Sequence, residues 1–241
     1  LQKGIDLGAN LIDTAEMYRT EDAVGAAIKG RRDKVFLATK VSGNHLGYDT
    51  VLKAAETSLR LLNDNVIDLY QIHWSNSGVP IHETMRAMEQ LVDRGLVRYI
   101  GVSNFSVAEL KEAQQAMSKY PIVSNQVLYN LKKRDIERDL IPYCAENNIT
   151  VIAYTPLADG SLTGKSRFLP DIGRSILEGI AQDLGKTSAQ VALNWCLSRP
   201  NMIVIPKSNS VARTVENCGA SGWSLTSDQV ATLDEAFPLS A

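Results

Sequence analysis

The sequence predicts an α/β protein of the (β/α)8 TIM-barrel class, with the barrel's first strand missing from the chain as given. Three observations predict it. Seven short β-branched runs alternate with longer helical patterns. The runs are continuously apolar, as parallel strands buried on both faces must be. No GxGxxG or GxxxxGKS turn follows the first run, which disfavours the rival, a doubly wound open sheet. At 241 residues the chain suits one large core, since an α/β barrel takes roughly 250 residues. A single domain over residues 1–241 is therefore expected.

The opening LQKGIDLGANLID reads as the end of a helix running into a strand at residues 10–13, and Leu1 in place of a methionine reads as loss of the natural N-terminus. Further strands are expected at 35–40, 66–73, 97–103, 122–126, 150–154 and 202–207, where VFLA, YIGV, TVIAY and IVIP stand out. Between them, Ile81, Met85, Met88, Leu91 and Val92 recur at helical spacing opposite Glu83, Arg86 and Asp93, the pattern of an amphipathic crossover helix. Ile136, Leu140, Ile141, Cys144 and Ala145 repeat it. Gly95 and Asn148 are placed as C-terminal caps. Ser106, with Glu109 three positions on, and Ser227 are placed as N-caps. The stretch 159–174, rich in Gly, Ser and charge, is the longest predicted loop.

Hydrophobic residues make up 44% and charged residues 22% of the chain, ordinary for a globular protein. A net charge of −2 and a pI near 6.0 give no basic field, so nucleic acid is not an expected partner. No apolar run approaches the ~18 residues of a membrane span, and a soluble, cytoplasmic protein is expected. Cys144, Cys196 and Cys218 are odd in number, widely separated and without metal-ligand spacing. They read as reduced thiols, with no metal site.

Nearly every predicted strand ends in a polar residue: Asp13, Lys40, His73, Ser103 with Asn104, Gln126, Tyr154 and Lys207. In a barrel these ends converge on the face that carries the active site. Singly, Asp13 reads equally as a helix cap, Lys40 as a surface ammonium, and His73 as a core histidine. Together they are chemically coherent. A buried tyrosine needs a positive neighbour to lower its pKa from about 10, and Lys40 supplies one for Tyr18. A buried lysine in turn needs a carboxylate to stay charged, which Asp13 supplies. His73 can hydrogen-bond a carbonyl oxygen, completing a site for general acid catalysis.

At these residues the chain resembles the aldo-keto reductase family, in its prokaryotic-like form, from Gly4 to about Asp234. LIDTAEMY, LATK and DLYQIHW carry the family's tetrad at Asp13, Tyr18, Lys40 and His73. GVSNF resembles the segment whose Ser and Asn, here Ser103 and Asn104, bind the nicotinamide carboxamide, and Gln126 in NQVLYN matches the third contact. YTPL is similar to the stretch whose tyrosine, here Tyr154, stacks on the nicotinamide while Thr155 to Leu157 approach the pyrophosphate. IPKSNSVARTVEN resembles the adenosine-phosphate segment, placing Lys207, Ser208 and Arg213 on a 2′-phosphate and Glu216 and Asn217 on adenine. The resemblance implies NADP(H) as cofactor, because a phosphate monoester rewards a Lys and Arg pair. A lone core aromatic at Tyr154 and a solvated basic loop at 207–213 are the structural alternatives.

The chain departs from the family in three places. Arg19 follows Tyr18 where the family commonly has glycine, and it either recognises an acidic substrate or points to solvent. The first strand, with its glycine-containing turn, is not in the sequence. After the helix expected at 227–236 no long C-terminal substrate loop follows, which implies a wide pocket for broad or polar substrates, with Trp74 as its candidate wall. The resemblance implies a cytoplasmic oxidoreductase that reduces aldehydes or ketones with NADPH, reversibly, with Tyr18 as general acid. Two alternatives stay open: a cofactor-sensing regulator, as the family's potassium-channel β subunits are, and a barrel lyase using Lys40 as a Schiff-base nucleophile.

Overall fold

The computed structural model describes residues 1–163 and 172–239. The packing divides the chain into two compact units, Leu1–Gln126 and Val127–Ala241.

The first unit runs α1 (Gln2–Asp6), β1 (Leu11–Asp13), α2 (Glu21–Ile28), β2 (Phe36–Val41), α3 (Tyr48–Leu62), β3 (Ile67–Ile72), α4 (Ile81–Asp93), β4 (Val97–Ser103), α5 (Val107–Ala116) and β5 (Ile122–Leu128), whose last two residues pass into the second unit. Neighbouring strands pair in parallel and in sequence order. Because every crossover is a helix that returns the chain to the same edge, the C-terminal ends of β1 to β5 lie side by side. The register places Lys40 against Gln71, Gln71 against Gly101, and Ser103 against Gln126.

The helices bury the stripes that their sequences announce. On α3, Val51, Ala55, Leu59 and Leu62 are buried, and on α4, Met85, Met88 and Leu91 are wholly inaccessible. Each such large side chain contributes about 1.5–3 kcal/mol. A side chain at Gly25 would run into the Leu62 carbonyl, so glycine is what lets α2 approach the end of α3. At the start of β3, Asp68 is buried and paired with Arg32 and Arg98, both at 2.7 Å, while accepting the Leu37 amide. That cluster ties strand entrances together, away from the strand ends that carry the predicted chemistry.

The second unit contains α6 (Leu140–Glu146), β6 (Thr150–Tyr154), α7 (Ile172–Asp183), α8 (Ser188–Leu197), β7 (Met202–Val204), α9 (Val211–Cys218) and α10 (Ser227–Ala236). Strands β6 and β7 pair in parallel. Trp195 is fully buried, stacked on Tyr129 at 5.3 Å and flanked by the guanidinium groups of Arg134 and Arg199. Its indole N–H donates to Asp234. Burial pushes the Cys144 thiol up to about 11 and Cys196 up to about 12, so both behave as small hydrophobes.

Several sequence expectations are corrected. The last strand ends at Val204 rather than residue 207, because Pro206 has no N–H to continue a ladder. The α10 cap is Thr226, whose side chain accepts from the Gln229 amide in a capping box, and Ser227 is the first helical residue. Ile136 lies in a separate 3-10 turn before α6. Of the predicted loop 159–174, Asp159 and Gly160 belong to a 3-10 turn and Arg174 to α7. Residues 164–171 lie outside the described residues. Ser106 with Glu109 does form the expected capping box, and Gly95 and Asn148 do take the left-handed conformation.

Candidate active site

Lys40 is one of the largest fully buried side chains in the protein, which removes the surface-ammonium alternative. Its ammonium donates to the Asp13 carboxylate at 2.6 Å and to the Thr14 carbonyl at 2.9 Å. Burial lowers the Lys40 pKa and Asp13 opposes that shift by charge and hydrogen bonding. Asp13 also accepts from the Gln126 side-chain amide at 2.8 Å. The carboxylate therefore joins the ends of β1, β2 and β5.

Tyr18 closes a 3-10 turn over Glu16–Tyr18 just past β1. Its ring lies under the Lys40 ammonium at 5.0 Å, and its hydroxyl is 3.4 Å from His73 Nε2. The expectation of a buried tyrosine is corrected. Tyr18 is 48% exposed, since the short turn holds the ring edgewise to His73 at the rim rather than below it.

His73 follows β3 directly, its amide donating to the Val41 carbonyl. Burial, and then the charge of Lys40, depress its pKa to about 4. The imidazole is thus neutral at neutral pH. Among the described residues Nδ1 is buried without a hydrogen-bond partner. The other ring nitrogen, Nε2, faces the Tyr18 hydroxyl. Trp74 stacks beside the His73 ring at 6.2 Å and is 49% exposed.

Ser103 donates to the Gln126 carbonyl at 2.8 Å, and the Asn104 side-chain amide donates to Ser103 Oγ and to the His73 carbonyl, both at 3.1 Å. Asn104 sits at φ 62, a conformation that asparagine tolerates better than most residues. Arg19 is exposed at φ 53, which accounts physically for glycine being the easier residue after the tyrosine.

The other predicted positions belong to the second unit. Tyr154 ends β6 and is half-buried, and the Thr155 carbonyl accepts from Asn130 at 3.0 Å. Thr155, Ala158 and Asp159 all have positive φ. A β-branched residue held there is strained, and such strain clusters at ligand-binding segments. Leu157 lies within that turn. Lys207 and Arg213 are exposed, and their side chains have no hydrogen bond or ion pair among the described residues. They bracket the N-terminus of α9, where Ser210 caps the Arg213 amide and the Ser208 hydroxyl receives the Ser210 amide. Glu216 and Asn217 are half-buried near the end of the same helix. A helix start with two uncommitted cations is the donor set a phosphate monoester requires, so these residues fit a 2′-phosphorylated dinucleotide.

Sequence reasoning missed Glu16 and Glu21. Glu21 is buried and accepts from Thr39 at 2.6 Å, and Glu16 accepts from the Ser42 amide at 2.8 Å. The only sequence signal was a carboxylate on either side of Tyr18 in a short loop. Among the described residues no group of three His, Cys, Asp or Glu is placed to hold a metal ion, and no helix is long and apolar enough to cross a membrane.

Methylglyoxal reductase YeaE of Escherichia coli is 39% identical to this chain over 99% of it and 83% of that protein. Glyoxal reductase of Bacillus subtilis is 34% identical, over 97% of this chain and 81% of its own. The crystal structure of an aldo-keto reductase from Klebsiella pneumoniae in complex with NADPH superimposes with a TM-score of 0.91 at 38% identity, covering 99% of this chain and 83% of that one. The sequence profile described as the aldo/keto reductase family matches residues 1–237. The chain therefore belongs to the aldo/keto reductase family, and its fold class is that family's (β/α)8 barrel.

Proposed function

We propose that this chain is an NADP(H)-dependent reductase of small aldehydes and ketones, acting as one domain, with Tyr18 as general acid in a reversible carbonyl reduction. The observation that carries the reading is the buried, doubly bonded Lys40 ammonium against the Tyr18 ring. NADP(H), when bound, supplies the hydride that reaches the carbonyl carbon. Tyr18 delivers its hydroxyl proton to the carbonyl oxygen, and the Lys40 ammonium stabilises the phenolate left behind. Asp13 and the Thr14 carbonyl keep Lys40 charged in spite of its burial. Neutral His73 orients the carbonyl oxygen by a hydrogen bond. Trp74 forms a wall for the substrate.

For the cofactor, Ser103, Asn104 and Gln126 are the carboxamide partners, Tyr154 the stacking surface, and Thr155 and Leu157 the backbone contacts. Lys207, Ser208 and Arg213 hold the 2′-phosphate, and Glu216 and Asn217 hold adenine. The similarity to methylglyoxal and glyoxal reductases supports dicarbonyl compounds as substrates. Absorbance assays of NADPH and NADH oxidation with glyoxal and methylglyoxal should show turnover that prefers NADPH. Absence of turnover with either cofactor across a panel of carbonyls would sink the reading and favour a cofactor sensor.

A further inference from the structure

The turn that carries Tyr18 is tied to a second segment through the side chain of its first residue, Glu16. That 3-10 turn is closed by the Tyr18 amide donating to the Ala15 carbonyl at 3.0 Å and the Arg19 amide donating to the Glu16 carbonyl at 3.3 Å. The Glu16 side chain reaches away from the turn to the segment that follows β2. There Oε2 accepts from the Ser42 amide at 2.8 Å and Oε1 lies 2.6 Å from His45 Nδ1. Ser42 stands two positions beyond Lys40, as Glu16 stands two positions before Tyr18. One carboxylate therefore spans the gap between the turn that carries the phenol and the strand end that carries the ammonium. The Glu16 side chain is 23% exposed and that of His45 48%, so the Ser42 contact is the better sheltered half.

The same loop also meets the opposite rim of the site. The Gly43 carbonyl accepts from the Asn76 side-chain amide at 2.8 Å, and a Cβ at Gly43 would come within 3.3 Å of the Trp74 carbonyl. The phenol itself is half-exposed and its turn is only three residues long. We propose that Glu16 is a positioning residue, whose carboxylate clamps the Tyr18 turn to the Ser42 amide and so sets the phenol against Lys40 and His73. This rests on Tyr18 being the proton donor.

The test compares Glu16→Met, which keeps the bulk and removes the acceptor, with Glu16→Gln, whose amide oxygen can still accept from Ser42. Tyr18→Phe serves as the reference. Steady-state kinetics with methylglyoxal and NADPH should show kcat lowered about 10-fold in Glu16→Met, since misplacing a reacting group by an ångström is enough for losses of that order or more. KM for NADPH should stay unchanged, and Glu16→Gln should recover most of kcat. Wild-type kcat in Glu16→Met would overturn the proposal. So would an equal loss in Glu16→Gln, which would mean charge rather than the clamp. So would loss of the folded state in Glu16→Met by circular dichroism, which would mean a role in folding. If Tyr18→Phe turns over as wild type, the proton-donor reading fails instead, whatever Glu16 does.

Discussion

The candidate site residues of the two units treat their charges in opposite ways. In the first, Lys40, Asp13, Gln126, Asn104 and Ser103 are bonded to one another and mostly buried. In the second, the side chains of Lys207 and Arg213 stand in solvent with no partner among the described residues. The difference follows from what each group must do. An ammonium that is to act on a phenol has to be desolvated, and burial is tolerable only with its counter-charge in place. A cation that is to capture a phosphate gains most if no protein carboxylate already holds it. Lys40 and Asp13 are already paired for the chemistry proposed, whereas the Lys207 and Arg213 side chains keep their charges open for the phosphate proposed.

The contrast breaks most visibly at Asp13. Asp13→Ala leaves Lys40 buried without its counter-ion, and urea denaturation should show a loss of about 3–5 kcal/mol. Adding Lys40→Met should restore most of that stability without restoring activity. Equal stability of Asp13→Ala and wild type would mean that the pair is not a buried ion pair. Lys207→Ala and Arg213→Ala should do the reverse. Each should raise the Kd for NADPH about 10-fold, as the loss of a charge-assisted contact implies. Stability should stay within about 0.5 kcal/mol, and NADH should bind as before.

His73 adds a pH signature to the first unit. Its pKa falls from the ordinary 6.5 to about 4 on folding, so between those values the unfolded chain binds a proton that the folded one refuses. Stability from this group is complete above about 6.5 and is lost as pH falls toward 4. Thermal melts of wild type and His73→Gln should converge across that window. Parallel curves would remove the burial argument. The smallest expected change is at Arg19, whose left-handed backbone costs about 1 kcal/mol for a residue with a side chain. Arg19→Gly should raise Tm by no more than a few degrees, and a fall in Tm would mean that the guanidinium makes a stabilising contact.

Much of this was legible because burial on both faces writes parallel strands as apolar runs. Thr150–Tyr154 and Val97–Ser103 have the boundaries the runs announce. Polar residues at strand ends then had to share an edge, and Lys40, Asp13, Tyr18 and His73 do meet. What was not legible is set by contacts between distant segments. Nothing local distinguishes Ser227 from Thr226 except Gln229, three positions after the threonine. The exposure of Tyr18 depends on a three-residue turn whose geometry no periodicity encodes. Glu16 looks like any loop carboxylate until Ser42 and His45 are beside it. The coupling of Gln126 to Asp13 spans almost half the chain and leaves no trace in either segment.

The Tyr18 hydroxyl is the proposed proton source. The most direct test of that role is Tyr18→Phe assayed for NADPH binding by fluorescence quenching and for methylglyoxal turnover. NADPH affinity should be unchanged and kcat lowered by about 100-fold or more, the range expected when a general acid is removed. Turnover at the wild-type rate in Tyr18→Phe would contradict that role.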